Sequence, residues 1–219
     1  MRIEQVNIGA SRTISSSRRS YKTGIYKTAA TDRVEVVALG LAGDTIIDSK
    51  WHGGADQAVY LYGREDYVRL SEGLPEAILP GTFGENLTTS GLDLAVLCIG
   101  DQLVSEQLVL QVTAPRVPCN TLEARVGIKG FSKRFMHIGR SGAYCRVLKE
   151  GSVGAGDEFE LQLYAHDRIP LPSFLADMKR KLSADELQRY LALPIDERNR
   201  RDFERQLKAI SRQSAEDPV

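Results

Sequence analysis

The chain has 219 residues, enough for one substantial domain with a small appendage and for a core that removes well over half of the unfolded surface from water. Lys and Arg total 29 against 29 Asp and Glu, so the formal net charge is zero; a nucleic acid polymer is not an expected partner, and any basic site must be local. Three cysteines without a CxxC spacing make a poor disulfide framework and fit a reducing compartment. The start, Met-Arg-Ile-Glu-Gln-Val, lacks the apolar stretch of a signal peptide, and no run approaches about 18 apolar residues, so the expectation is a cytoplasmic protein with no membrane partner.

From residue 1 to about 163 the pattern is short alternating or apolar runs punctuated by Gly, Pro and Asp, the pattern of strands joined by turns. The clearest strands are expected at 3–8, 34–39, 108–113, 143–148 and 158–163. Gly43-Asp44, Gly100-Asp101 and Gly156-Asp157 sit beside such runs and read as turns. A helix is expected at 64–72, where Tyr67 and Leu70 share a face, and another at 121–126. After the stretch His166-Asp167-Arg168-Ile169-Pro170-Leu171-Pro172 the chain becomes charge-rich with helical period. Ser173 reads as the cap of a first helix holding Phe174 and Leu175. Ser183 precedes Glu186 by three residues, a capping box, with Leu187, Tyr190 and Leu191 on one stripe, and Phe203, Leu207 and Ile210 repeat the spacing. Three short helices too weak to stand alone must pack on the rest of the chain or on a second subunit, and 213–219 reads as frayed.

The segment Thr113-Ala-Pro-Arg-Val-Pro-Cys119-Asn120 holds a cysteine stiffly behind two prolines. Arg116, three residues back, would favour the thiolate that binds metals or reacts; the competing reading is a small buried hydrophobe. Cys98 and Cys145, inside apolar and β-like runs, read as core. Lys50-Trp51-His52-Gly53-Gly54 places a histidine before two glycines, where backbone can approach a ligand and offer N–H groups. With three histidines and no HExxH a zinc site is not expected, and His52 reads as a hydrogen-bond donor. Pro80-Gly-Thr-Phe-Gly-Glu-Asn86-Leu-Thr88 sets glycine flexibility beside the Glu85 carboxylate and the Asn86 amide, or is a plain loop with an Asx-turn. Ser20-Tyr-Lys-Thr-Gly-Ile-Tyr-Lys27 is a basic loop whose Lys22 and Lys27 could grip a phosphate, and Gly139-Arg140-Ser141-Gly142 has similar composition.

Taken in order, Lys22-Thr-Gly-Ile-Tyr-Lys27, Gly43-Asp44, His52-Gly-Gly54, Phe83-Gly-Glu-Asn-Leu87, Ile99-Gly-Asp101, Pro115-Arg-Val-Pro-Cys119 and Gly139-Arg140 resemble the MOSC family, named for the C-terminal domain of molybdenum cofactor sulfurase. The resemblance implies a mostly β fold, a MOSC-type β-barrel with short helices over 1–164, and a small C-terminal three-helix extension over 165–219. Such an extension marks the bacterial stand-alone subgroup that includes the 6-N-hydroxylaminopurine resistance proteins. It further implies a molybdopterin-type molybdenum cofactor with Cys119 as the metal's protein ligand, a soft thiolate beside the pterin's sulfurs. Arg116, Lys22, Lys27 and Arg140 are then the candidate cations for the cofactor's phosphate, and His52, Asn86 and Thr113 the candidate hydrogen-bonding partners.

The implied activity is two-electron, two-proton reduction of a small N-hydroxylated substrate to the amine, with Glu85 and His52 as candidate acids. No GxGxxG follows an expected strand, so electrons would come from a separate reductase. A homodimer is a candidate assembly. Two other readings stand beside this one: a cofactor carrier or sulfur-handling protein that uses Cys119 as a persulfide acceptor, and a metal-free thiol enzyme with Cys119 as nucleophile and His52 or His137 as base.

Overall fold

The computed structural model describes residues 1–15, 20–48 and 52–216, with backbone alone for 214–216. The strands, in chain order, are β1 (Arg2–Ile8), a hairpin arm of β2 (Arg12–Ser15) and β3 (Ser20–Thr23), β4 (Thr28–Ala29), β5 (Val34–Val37), β6 (Gly40–Leu41), β7 (Val59–Gly63), β8 (Leu87–Ser90), β9 (Gln102–Val104), β10 (Val109–Pro115), β11 (Ala143–Lys149), β12 (Gly151–Val153) and β13 (Glu160–Gln162). Helix α1 (Arg64–Ser71) follows β7, α2 (Asn120–Val126) and α3 (Phe131–Ile138) lie between β10 and β11, and α4 (Leu171–Asp177), α5 (Ala184–Leu191) and α6 (Glu197–Glu216) end the chain. Eight strands form one sheet in the order β13-β9-β10-β11-β7-β8-β1-β4. Every pairing in it is antiparallel except β7 with β8, which are parallel because α1 and the loop after it return the chain before β8 begins.

The fold is mixed α/β, and the expected closed barrel is not found among the described residues. The start of β1 meets the segment that leads into β13, across the sheet from it. Ile3 N–H donates to Asp157 O at 2.9 Å and Phe159 N–H to Met1 O at 2.8 Å, but an isolated bridge, Arg2 to Glu158, takes the place of a ladder.

Both faces of the central strands are buried, and strand alternation sorts their side chains into two cores. In β7, Val59 and Leu61 join a large aliphatic core while Tyr60 and Tyr62 enter a smaller aromatic one with Tyr67, Phe83, Phe131, Phe135 and Tyr144. In β11, Ala143 and Cys145 fall on the aliphatic side and Tyr144 on the aromatic side. Strict alternation in β10 would put Val112 and Ala114 together. The pairings Val112 with Cys145 and Ala114 with Tyr144 instead leave Thr113 as an extra residue, a bulge that turns Ala114 onto the aromatic side. The chain leaving β10 thereby approaches the aromatic face, where Arg116 and Cys119 are found.

The five expected strands form with shifted ends, and the helix expected at 64–72 forms as α1. Helix α3 was not expected; it carries buried Phe131 and Phe135 one turn apart, between Gly130 and Gly139, both left-handed. Ser183 and Glu186 make the full capping box of α5. Ser173 is not a cap: it lies inside α4, whose N-cap position is Pro170. Helix α6 is a single 20-residue helix that continues past residue 213, and 217–219 lie outside the described residues. Phe174, Tyr190 and Phe203 of the three terminal helices stack on one another, with Phe174 and Tyr190 centroids 4.7 Å apart, and share the aliphatic core with Leu97, Ile99 and Leu110. Among the described residues no helix is long and apolar enough to cross a membrane.

Candidate functional site

A cavity of about 720 Å³ opens between the hairpin arm, residues 45–48 and 52–53, and the entry to α2. Two glycine approaches shape it. A Cβ on Gly24 would lie 1.8 Å from the Thr45 carbonyl oxygen, so only glycine lets the chain after the arm press on that segment. Gly53, with φ +72°, turns the chain sharply after His52.

Cys119 is half-buried at the N-cap position of α2, with extended backbone. Burial would push the thiol up. The hydrogen bond from His52, the charge of Arg116 and the Leu122 N–H outweigh burial and bring its pKa down to about 6. Burial pushes the Cys145 thiol well above the ordinary range against the charge of Arg146, and Cys98 is also buried.

Arg116 is buried, lies over the Tyr60 ring at 4.8 Å and donates from Nη1 to the Phe83 carbonyl oxygen, while its Nε finds no partner. Burial opposes its charge, but Tyr144, Tyr60 and Cys119 outweigh that effect and hold it protonated. Tyr60 and Tyr144 pair across β7 and β11 with centroids 5.0 Å apart, and the Tyr144 hydroxyl meets His52 Nδ1 at 3.4 Å.

Of the residues expected at the site, Lys22, Lys27, His52, Asn86, Arg116 and Cys119 line this cavity. Lys22 is exposed at its edge. Lys27 is committed: its ammonium contacts Asp44 at 2.5 Å, both side chains buried, and burial lowers its pKa against the pull of Asp44. Asn86 is committed too, accepting from Tyr60 N–H at 3.1 Å and donating to Asp44 Oδ2 at 2.9 Å. Asp44, expected as part of a turn, is thus the carboxylate that ties Lys27, Asn86 and the Gly9 N–H together.

Three expected site residues lie elsewhere. Glu85 is fully buried away from the cavity, accepting from Gly81 N–H, the Tyr67 hydroxyl and the Thr88 hydroxyl, and burial raises its pKa. Thr113 is the bulge residue, its hydroxyl donating to the Asp56 and Tyr144 carbonyl oxygens at 2.6 and 3.0 Å. Arg140 pairs with Asp93 and lies 3.8 Å from Asp66, beside α1. Lys50 and Trp51 lie outside the described residues. The sequence reading missed Tyr60, Tyr144 and Gln57, which also line the cavity; the alternation Val59-Tyr60-Leu61-Tyr62 was the available signal for Tyr60. Gln57 Oε1 is buried without a hydrogen-bond partner.

The family model for the MOSC domain matches residues 48–160, a span that holds His52, Asn86, Arg116 and Cys119. The chain belongs to the MOSC domain family. The YflK protein of Bacillus subtilis, itself described as uncharacterized, is 36% identical over 156 residues, 71% of either chain. A Gibberella moniliformis protein named a reductase is 36% identical over 143 residues, 64% of this MOSC protein and 25% of that longer one. The crystal structure of YiiM from Geobacillus stearothermophilus superposes with a TM-score of 0.78 at 25% identity, covering 94% of this chain and 98% of that one, so the shared MOSC fold extends into the helical tail.

Proposed function

We propose that this MOSC protein is a molybdenum-cofactor-dependent reductase that converts N-hydroxylated compounds, such as N-hydroxylated purines, to amines. The observation that carries this reading is the half-buried Cys119 thiol on the wall of a cavity that Arg116 and His52 also line, its pKa drawn down to about 6. The residues present fit the group. Among the described residues no three His, Cys, Asp or Glu cluster to hold a metal by themselves, so a metal at Cys119 would bring its other ligands with it, as a pterin dithiolene does. The cavity also presents an unpaired buried donor, Arg116 Nε, and an unpaired buried acceptor, Gln57 Oε1, which suit an organic group bearing both anionic and N–H edges.

When bound, that cofactor supplies the two-electron chemistry that cleaves an N–O bond. The chain's own residues hold and protonate. The Cys119 thiolate would hold the metal, with His52 and Arg116 favouring its ionised form. Lys22 at the rim is available to an anionic tail, whereas Lys27 is neutralised by Asp44 and serves to brace the wall. His52, which lines the same cavity as Cys119 and has the Tyr144 hydroxyl 3.4 Å from its Nδ1, is assigned proton delivery; Glu85 is too deep for that role. The balance is one N-hydroxylamine, two electrons and two protons giving one amine and one water. The electrons are drawn from a separate reductase. Free thiols at Cys98, Cys119 and Cys145 suit the reducing cytoplasm.

The test is turnover: cofactor-loaded protein, a chemical reductant and 6-N-hydroxylaminopurine should yield adenine, and the Cys119→Ser protein should yield none. No amine from the loaded wild type, together with a persulfide on Cys119 detected by mass, would favour the carrier reading, which the same cavity-lining thiol supports.

A further inference from the structure

The terminal helices reach the site. Arg198, in the first turn of α6, donates from Nη2 to the His52 carbonyl oxygen at 3.1 Å and to the Gly53 carbonyl oxygen at 2.9 Å. Around it the tail is fastened to the same wall. Asp196 N–H donates to the Thr113 carbonyl oxygen at 3.3 Å and Glu197 N–H to Asp56 Oδ2 at 2.9 Å. Arg146 of β11 contacts Asp56 Oδ1 at 3.0 Å and donates to the Pro194 and Ile195 carbonyl oxygens, each at 3.1 Å. The Asp196 carboxylate, almost fully buried, caps α6 through the Arg198 and Asn199 N–H groups and so fixes the turn from which Arg198 projects.

We infer that Arg198 is a positioning residue that holds the His52-Gly53 turn over Cys119, making the C-terminal helices part of the site rather than a packing accessory. The inference rests on the reading of the cavity lined by Cys119 and His52 as the functional site but not on the metal. One guanidinium nitrogen donating to two adjacent carbonyl oxygens fixes a glycine-rich turn, with φ +72° at Gly53 and +82° at Gly54, that no strand pairing restrains among the described residues. Arg200 supplies an internal control two residues on: it donates to the Leu191 and Leu193 carbonyl oxygens, binding α6 to α5 without touching the site.

The full chain, made in a host that produces no pterin cofactor, is labelled with iodoacetamide at fixed pH, and amide exchange is followed in the peptide covering 52–57. Arg198→Ala should slow Cys119 alkylation several-fold and speed exchange in that peptide, and Arg198→Lys should recover part of both. Arg200→Ala should lower the melting temperature yet leave the alkylation rate at the wild-type value. Equal alkylation in wild type and Arg198→Ala, or an equal slowing in Arg200→Ala, would overturn the inference. Because the protein carries no cofactor, failure here is separable from failure of the molybdenum reading, which is decided by turnover in loaded protein.

Discussion

Cys119 is the residue on which pH acts most directly. Its alkylation rate should rise with pH to a half-point near about 6, the value to which His52 and Arg116 bring it against burial, while Cys98 and Cys145 stay unlabelled in the folded protein. Arg116→Leu should move that half-point upward. A depressed thiol pKa also stabilises the fold, fully above the unfolded thiol's pKa and less as pH falls through the folded one. The stability advantage of wild type over Cys119→Ser should therefore grow from pH 6 to pH 9, as read by melting at each pH. Glu85→Gln should cost about 1–3 kcal/mol by disturbing three buried hydrogen bonds. It should leave turnover within a few-fold, because Glu85 does not reach the cavity; loss of turnover in a folded Glu85→Gln protein would restore it as the acid. At this scale the sequence was a good guide where chemistry is local, as in Arg116 and Cys119, and a poor one where a side chain's partner is remote. Asp44 follows a glycine and reads as a turn; only the fold shows that Lys27, Asn86 and Gly9 converge on it.

Among the elements, those specified by contiguous signals were legible. The Ser183–Glu186 box defines the start of α5, and Tyr67 with Leu70 defines the inner face of α1. Ser183→Ala should cost about 1 kcal/mol, measured by denaturant unfolding. What was not legible depends on pairing. The β10 bulge leaves no mark in Val112-Thr113-Ala114, yet it turns Ala114 onto the aromatic face and leaves the Thr113 hydroxyl, expected as a hydrogen-bonding partner of the cofactor, against the Asp56 and Tyr144 carbonyl oxygens. Helix α3 hid because its flanking glycines, Gly130 and Gly139, also suit a ligand-binding loop, and its two buried aromatics alone are too few to show a period.

Across the whole molecule, a mixed sheet with two buried faces accounts for both the stability and the site: the aliphatic face packs the terminal helices, and the aromatic face forms the wall beneath Arg116 and Cys119. Truncating Phe203, which stacks on Phe174 and Tyr190, should cost about 3–5 kcal/mol and unfold the chain in one transition with the sheet. A separate early transition for the tail would contradict a shared core. The decisive measurement is elemental analysis for molybdenum, with fluorescence detection of oxidised pterin, on protein made in a cofactor-competent host beside its Cys119→Ser variant. Near-stoichiometric metal and pterin in the wild type, with the metal lost from a variant that melts as a folded protein, is the predicted result; metal retained by the variant, or neither metal nor pterin in the wild type, would contradict it.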